Sequence, residues 1–144
     1  MKLRILLVMA LLIATLVLSG STVTTPSNVA ASAADEVQVI NVTAKKYEFD
    51  PSPIRVKQGA KVQLKITAKD HAHGFKISEF PDGAPSGGKP GLVFTSGRDC
   101  TKIEEGKTEG VEFMAQTPGT YTFRCCVHCG WHHRSMKGQL IVEP

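Results

Sequence analysis

Beyond residue 36, polar and apolar residues alternate along much of this chain. Lys61 to Ala68 is the cleanest case. Val62, Leu64, Ile66 and Ala68 fall on one side, and Lys61, Gln63, Lys65 and Thr67 on the other. A period of two marks a strand with one buried face. The same reading predicts strands over 36–44, 47–49, 54–57, 75–80, 109–115, 120–124 and 139–143. Gln58-Gly59, the stretch from Asp70 to Gly74, and Pro118-Gly119 are the breaks between them. Residues 81–100 are rich in Gly, Pro and Ser and predict a long loop, with a short strand at Leu92-Val93-Phe94. No helical period occurs in this part of the chain. Seven or eight short strands without helices predict an all-β sandwich or barrel. About 110 residues are enough to bury a real core without disulfides.

The N-terminus breaks the pattern. After Met1-Lys2-Leu3-Arg4, residues 5–18 are apolar except for Thr15. That run is short for a membrane span and right for the apolar region of a secretory leader. Ser19-Gly20-Ser21 and Ala31-Ser32-Ala33 both suit cleavage, and Ser21 stands where a lipoprotein box needs Cys. Residues 1–33 are therefore expected to be leader and linker, cleaved or kept as an anchor, and 36–144 the folded domain. Export predicts a periplasmic or extracellular location, where disulfides form. The net charge is +4, and 15 basic against 13 acidic residues remain without Lys2 and Arg4, about +2. That is too mild for nucleic acid.

Chemistry concentrates in residues 125–136, Cys-Cys-Val-His-Cys-Gly-Trp-His-His-Arg-Ser-Met. Thiolate, imidazole and thioether are ligands for copper, zinc or iron–sulfur clusters. Zinc sites draw on Cys, His, Asp and Glu rather than Met. A Met three residues past a His, downstream of Cys, points to copper as an electron carrier. Strand parity puts Cys125 on the same face as Tyr121 and Phe123. Asp70-His71-Ala72-His73-Gly74-Phe75 forms a second loop that a sandwich brings to the same pole.

The same residues allow other sets. His73, Cys129, His132 or His133, and Met136 would make a mononuclear blue-type copper site with Cys125 idle. His73, Cys125, Cys129 and His133 would make a zinc site that leaves Met136 unused. Cys126-x-x-Cys129 has the spacing of a thiol redox pair but lacks the βαβ setting of one. Gly130 stands where a haem-attachment motif needs His. Nucleophilic catalysis lacks an orienting acid or amide in the loop. His71, His128 and His132 read as surface residues or as donors behind the ligands, and Asp70 as a turn residue. Cys100 and Cys126 either bridge or stay free.

Together these residues resemble a known family. Cys125-x3-Cys129-x3-His133-x2-Met136, with the upstream His73-Gly74-Phe75, is similar to the binuclear CuA centre of cytochrome c oxidase subunit II and nitrous-oxide reductase. The Pro-Gly-Thr-Tyr turn at 118–121 and the Met-Lys-Gly-Gln-Leu-Ile-Val run at 136–142 extend the similarity, which spans roughly 36–143. The resemblance implies a Greek-key β-sandwich of the cupredoxin type. It implies two copper ions bridged by Cys125 and Cys129, with one imidazole each from His73 and His133. Met136 would be a weak ligand to one ion and the Val127 carbonyl to the other. The family commonly has Ser at the Cys126 position. The implied function is one-electron transfer, not catalysis by the chain on its own. The implied partner is a redox protein such as a c-type cytochrome or an oxidase. A periplasmic copper store or delivery protein would use the same fold. The chain departs from subunit II in showing a leader rather than a two-helix anchor. It also lacks the aromatic cluster that receives electrons; its one Trp, Trp131, lies inside the ligand loop.

Overall fold

The computed structural model describes residues 36–85 and 87–144, so the leader and linker expected over 1–33 lie outside the described residues. Ten strands follow in order: β1 (Val37–Lys45), β2 (Glu48–Asp50), β3 (Ile54–Lys57), β4 (Lys61–Ala68), β5 (His73–Ile77), β6 (Leu92–Ser96), β7 (Thr101–Ile103), β8 (Thr108–Ala115), β9 (Gly119–Arg124) and β10 (Lys137–Glu143). A 3-10 turn, His133–Ser135, precedes β10. Among the described residues no helix is long and apolar enough to cross a membrane.

Alternation decides the faces. Val62, Leu64, Ile66 and Ala68 of β4 are buried, as are Val111, Phe113 and Ala115 of β8, Tyr121 and Phe123 of β9, and Leu140 and Val142 of β10. Each larger side chain of this kind contributes about 1.5–3 kcal/mol on full burial. Phe49, Phe75 and Phe123 pack with ring centroids 5.1–5.6 Å apart. Tyr121 is fully buried, and its hydroxyl donates to the Thr117 carbonyl at 2.7 Å, so burial strands no polar atom.

The strands form two five-stranded sheets, ordered β2-β1-β4-β8-β6 and β3-β10-β9-β5-β7. β1–β4 and β3–β10 run parallel and the other pairs antiparallel. From β2 to β9 every successive connection passes from one sheet to the other. Such crossings build a sandwich rather than two meanders. This is the all-β sandwich expected, with ten strands in place of seven or eight. The unforeseen β7 has three residues, too few to show alternation. The strand expected over 75–80 begins at His73 and ends at Ile77, where the Ser78 hydroxyl donates to the Phe80 carbonyl at 2.6 Å and turns the chain.

This topology positions the ligand stretch. β9 ends at Arg124 and β10 begins at Lys137, its register partner. Residues 125–136 are thus the connection between two neighbouring antiparallel strands. The Cys125 N–H donates to the Met136 carbonyl at 2.9 Å and closes the neck of that loop. β5 is antiparallel to β9 with Lys76 opposite Arg124, so His73 lies beyond the end of β9, at the same pole.

Candidate metal centre

Parity continues off the end of β9. After buried Tyr121 and Phe123, Cys125 is buried too, and Cys129 and Met136 of the same loop join it. The two sulfurs, Cys125 Sγ and Cys129 Sγ, are 3.4 Å apart. Cys129 Sγ is 3.7 Å from His133 Nδ1 and 3.8 Å from Met136 Sδ. Cys125 Sγ lies 3.1 Å from the Val127 carbonyl and accepts the Gly74 N–H at 3.3 Å. Two donors bound to one ion at 2.0–2.3 Å in tetrahedral array stand about 3.3–3.8 Å apart. The spacings around Cys129 fall in that range.

His73 completes the pole from β5. It is fully buried, and its Nε2 pairs with Asp70 Oδ1 at 2.7 Å. An ionised carboxylate can only accept, so Nε2 carries the proton and Nδ1 keeps its lone pair. That Nδ1 is buried with no hydrogen-bond partner. A buried orphan nitrogen beside thiols is what a metal ligand looks like without its metal. Burial works against ionisation of Asp70, but hydrogen bonds from His73 and the Lys46 N–H, with the His71 ring close by, outweigh it and hold the carboxyl well below the usual range.

Among the described residues two donor groups fall within 4.8 Å: His71, His73 and Cys129, and Cys125, Cys129 and His133. They share Cys129. Burial first, and the neighbouring Cys125 second, push the Cys129 thiol up to about 12. Without metal the loop therefore holds this group as a thiol, and a metal must displace its proton.

The fold thus brings His73, Cys125, Val127, Cys129, His133 and Met136 to one pole. Sequence reasoning missed the part of Asp70, which fixes the His73 ring rather than merely closing a turn; the signal available was the Asp-x-x-His spacing. His71 is half-buried behind the site, with Nε2 paired to the Cys129 carbonyl at 2.7 Å. Its Nδ1 is 2.8 Å from Asp70 Oδ1, but without hydrogen-bond geometry. His128 and His132 are exposed, and the His132 ring meets Tyr47 at 5.1 Å. Cys100 and Cys126 form a disulfide, which leaves Cys125 and Cys129 as the free thiols.

Comparison with known proteins agrees with the fold. The family model that matches residues 7–142 is described as a cupredoxin-like domain. Cytochrome c oxidase subunit 2 of Thermus thermophilus is 28% identical over 105 residues, covering 72% of this chain and 64% of that protein. The chain therefore spans less than two thirds of that relative's length. Auracyanin A, a "blue" copper protein from Chloroflexus aurantiacus, superposes with a TM-score of 0.56 at 18% identity, over 75% of this chain and all of that one. A chain of a heme-copper terminal oxidase dimer superposes with a TM-score of 0.52 at 21% identity, over 74% of this chain and 65% of that one. At these identities the structural likenesses establish the fold.

Proposed function

Because the chain belongs to the cupredoxin-like domain family, we propose that it binds copper at the pole between β9 and β10 and carries single electrons. The observation that supports this most is the sharing of Cys129 by two donor groups, with the Met136 thioether 3.8 Å from the same sulfur. Thiolates, imidazoles and a thioether together suit copper better than zinc. Bound copper supplies a centre that gains and loses one electron. The chain supplies the thiolates of Cys125 and Cys129, the imidazoles of His73 and His133, the Met136 thioether and the Val127 carbonyl. The closed neck of the loop and the Asp70–His73 pair hold these donors nearly fixed, so little need move when an electron arrives or leaves. If these donors fill the coordination of the copper they hold, no position would be left for a substrate, and the chain would serve as a carrier rather than an enzyme.

The finer reading is a binuclear centre, two copper ions bridged by both thiolates, similar to that of cytochrome c oxidase subunit II. One observation favours a mononuclear site instead. Cys125 Sγ is already paired with the Val127 carbonyl and the Gly74 N–H, so it is not stranded without metal. Copper counting and electron spin resonance on the loaded protein separate the two. The binuclear reading expects two coppers per chain, a purple oxidised form and an unpaired electron split by two copper nuclei. Cys125→Ser and Cys129→Ser should each collapse that signal. One copper per chain, with a blue spectrum unaffected by Cys125→Ser, would leave the mononuclear site.

The partner on this reading is an oxidase or a c-type cytochrome, and the compartment is periplasmic or extracellular. The Cys100–Cys126 bridge supports the latter, since disulfides persist in oxidising compartments.

A further inference from the structure

Three cations line up across the outer face of the sheet that carries the ligand loop. Arg124 of β9 stands opposite Lys76 of β5 on one side and Lys137 of β10 on the other. All three are exposed, while Phe75, Ile77 and Phe123 at adjacent positions face the core. Residues directly opposite on neighbouring strands have Cβ atoms about 4.5–5.5 Å apart, and like charges there are destabilising. Elsewhere the chain relieves such crowding with acids. Arg55 and Lys57 both reach Glu143 at 3.0 Å, Arg98 reaches Glu79 at 2.7 Å, and Lys102 reaches Glu104 at 2.7 Å. Among the described residues Lys76, Arg124, Lys137 and the nearby Arg134 have no ion-pair partner. Asp82 abuts β9, but the hydroxyl and N–H of Thr122 hold it.

The row lies at the metal pole. Arg124 directly precedes Cys125, and Lys137 directly follows Met136. A cleft of about 500 Å³ lined by Arg124, Cys125, Cys126, His133 and Arg134 opens beside it. Trp131, on the same loop, is 98% exposed. An aromatic ring left in water on a loop that also carries the unpaired Arg134 is the composition of a binding surface: Trp and Arg are enriched at interface anchors.

We propose that this face docks the acidic surface of a one-electron redox protein. Lys76, Arg124, Arg134 and Lys137 steer the partner, and Trp131 makes the apolar contact. This rests on the reading of the pole as a copper electron-transfer site. The row borders the cleft that reaches Cys125, which a partner exchanging electrons requires and a lipid surface does not use. Facing potentials of opposite sign raise association rates, and salt screens the effect.

The test uses two c-type cytochromes, one with an acidic and one with a basic surface, and the copper-loaded full chain. Stopped-flow electron transfer should be faster with the acidic cytochrome and should slow as salt rises. The triple variant Lys76→Gln, Arg124→Gln, Lys137→Gln should lower the low-salt rate about tenfold and flatten its salt dependence, with copper content and spectrum unchanged. Electron self-exchange between two copies, which brings like poles together, should instead become faster. An intact copper spectrum with an unchanged rate would overturn the proposal. So would variant-sensitive capture on phosphatidylserine vesicles with an unaffected cytochrome rate, which would assign the face to a membrane. Failure of the copper reading shows separately, as absent copper uptake or absent reversible redox change. The metal-free chain then still reads the face. NMR shifts induced by the acidic cytochrome should gather on β5, β9, β10 and Trp131, and shifts elsewhere would refute the docking site.

Discussion

An ionised Asp70 accepts from His73 Nε2, and that one bond decides which imidazole nitrogen stays free. Asp70→Asn keeps the shape and an acceptor oxygen but removes the charge that orients and enriches the ring. Copper affinity should fall about 10- to 100-fold, the usual effect of losing such a partner, as read by competition with a copper chelator. Unchanged affinity would return Asp70 to the plain role of a turn residue. Cys126 makes the opposite prediction. Its bridge to Cys100 removes it from the donor set, so the double variant Cys100→Ser, Cys126→Ser should keep the copper chromophore. It should unfold more easily, because a bridge spanning 26 residues is worth about 3–4 kcal/mol on loop-entropy grounds. Loss of all visible absorption would make Cys126 a ligand. At this scale the clustering was readable where residue type and spacing carry information: the fold brings Cys125, Cys129, His133 and Met136 together as their spacing suggests. The sequence was silent on the pairing of Cys100, since two cysteines on loops have no periodicity to relate them. It left Asp70 as a turn residue and did not reach its pairing with His73, since an Asp at the break between two strand patterns suits a turn equally well.

β5 meets the ligand loop through Gly74, and the contact leaves no room. A Cβ there would lie 2.7 Å from Cys126 Sγ and from the Val127 N–H nitrogen. Gly74 is needed for close approach rather than for backbone freedom, and its N–H also reaches Cys125 Sγ. Gly74→Ala should therefore push the loop off β5, lower stability by about 1–3 kcal/mol, and shift or abolish the copper absorption band. Gly110→Ala on β8, where a Cβ meets nothing within 4 Å, should leave the band in place. A Gly74→Ala spectrum identical to wild type would mean that the loop absorbs the strain without moving its donors. The elements themselves were legible in proportion to their length. β4 and β8 carry enough alternation to be read directly. β7 does not, and β5 was misplaced because His73-Gly74 looks like a break until its pairing with β7 and β9 is seen. Val37 and Val39 show the other limit: apolar, in a strand, and yet half exposed on the outer side of β1.

For the whole molecule, the question is whether metal builds the fold or merely occupies it. In small zinc domains the metal supplies the folding free energy and the apo chain is disordered. Here the ligand loop contributes only Cys125, Cys129 and Met136 to a buried apolar core that draws on every strand from β1 to β10. Both sheets are complete without the loop, and its two ends are fastened by the β9–β10 ladder and by the Cys125–Met136 hydrogen bond. The disulfide pins its second residue to the segment before β7. The donors are thus held by protein, and the close approach of the two sulfurs without metal is possible because the Cys129 thiol keeps its proton. The metal-free protein should therefore give the circular dichroism of a β-sandwich and a cooperative thermal transition. Copper should stabilise the fold by mass action alone, by about 4 kcal/mol at a thousandfold excess over Kd, and so raise the midpoint with no gain in strand signal. The sign with pH follows from the thiols: copper binding expels their protons, so acid should weaken it and reduce the copper-induced rise. A disordered apo chain that acquires its strands only on adding copper would defeat this account, and would make the loop, rather than the alternating strands, the element that organises the fold.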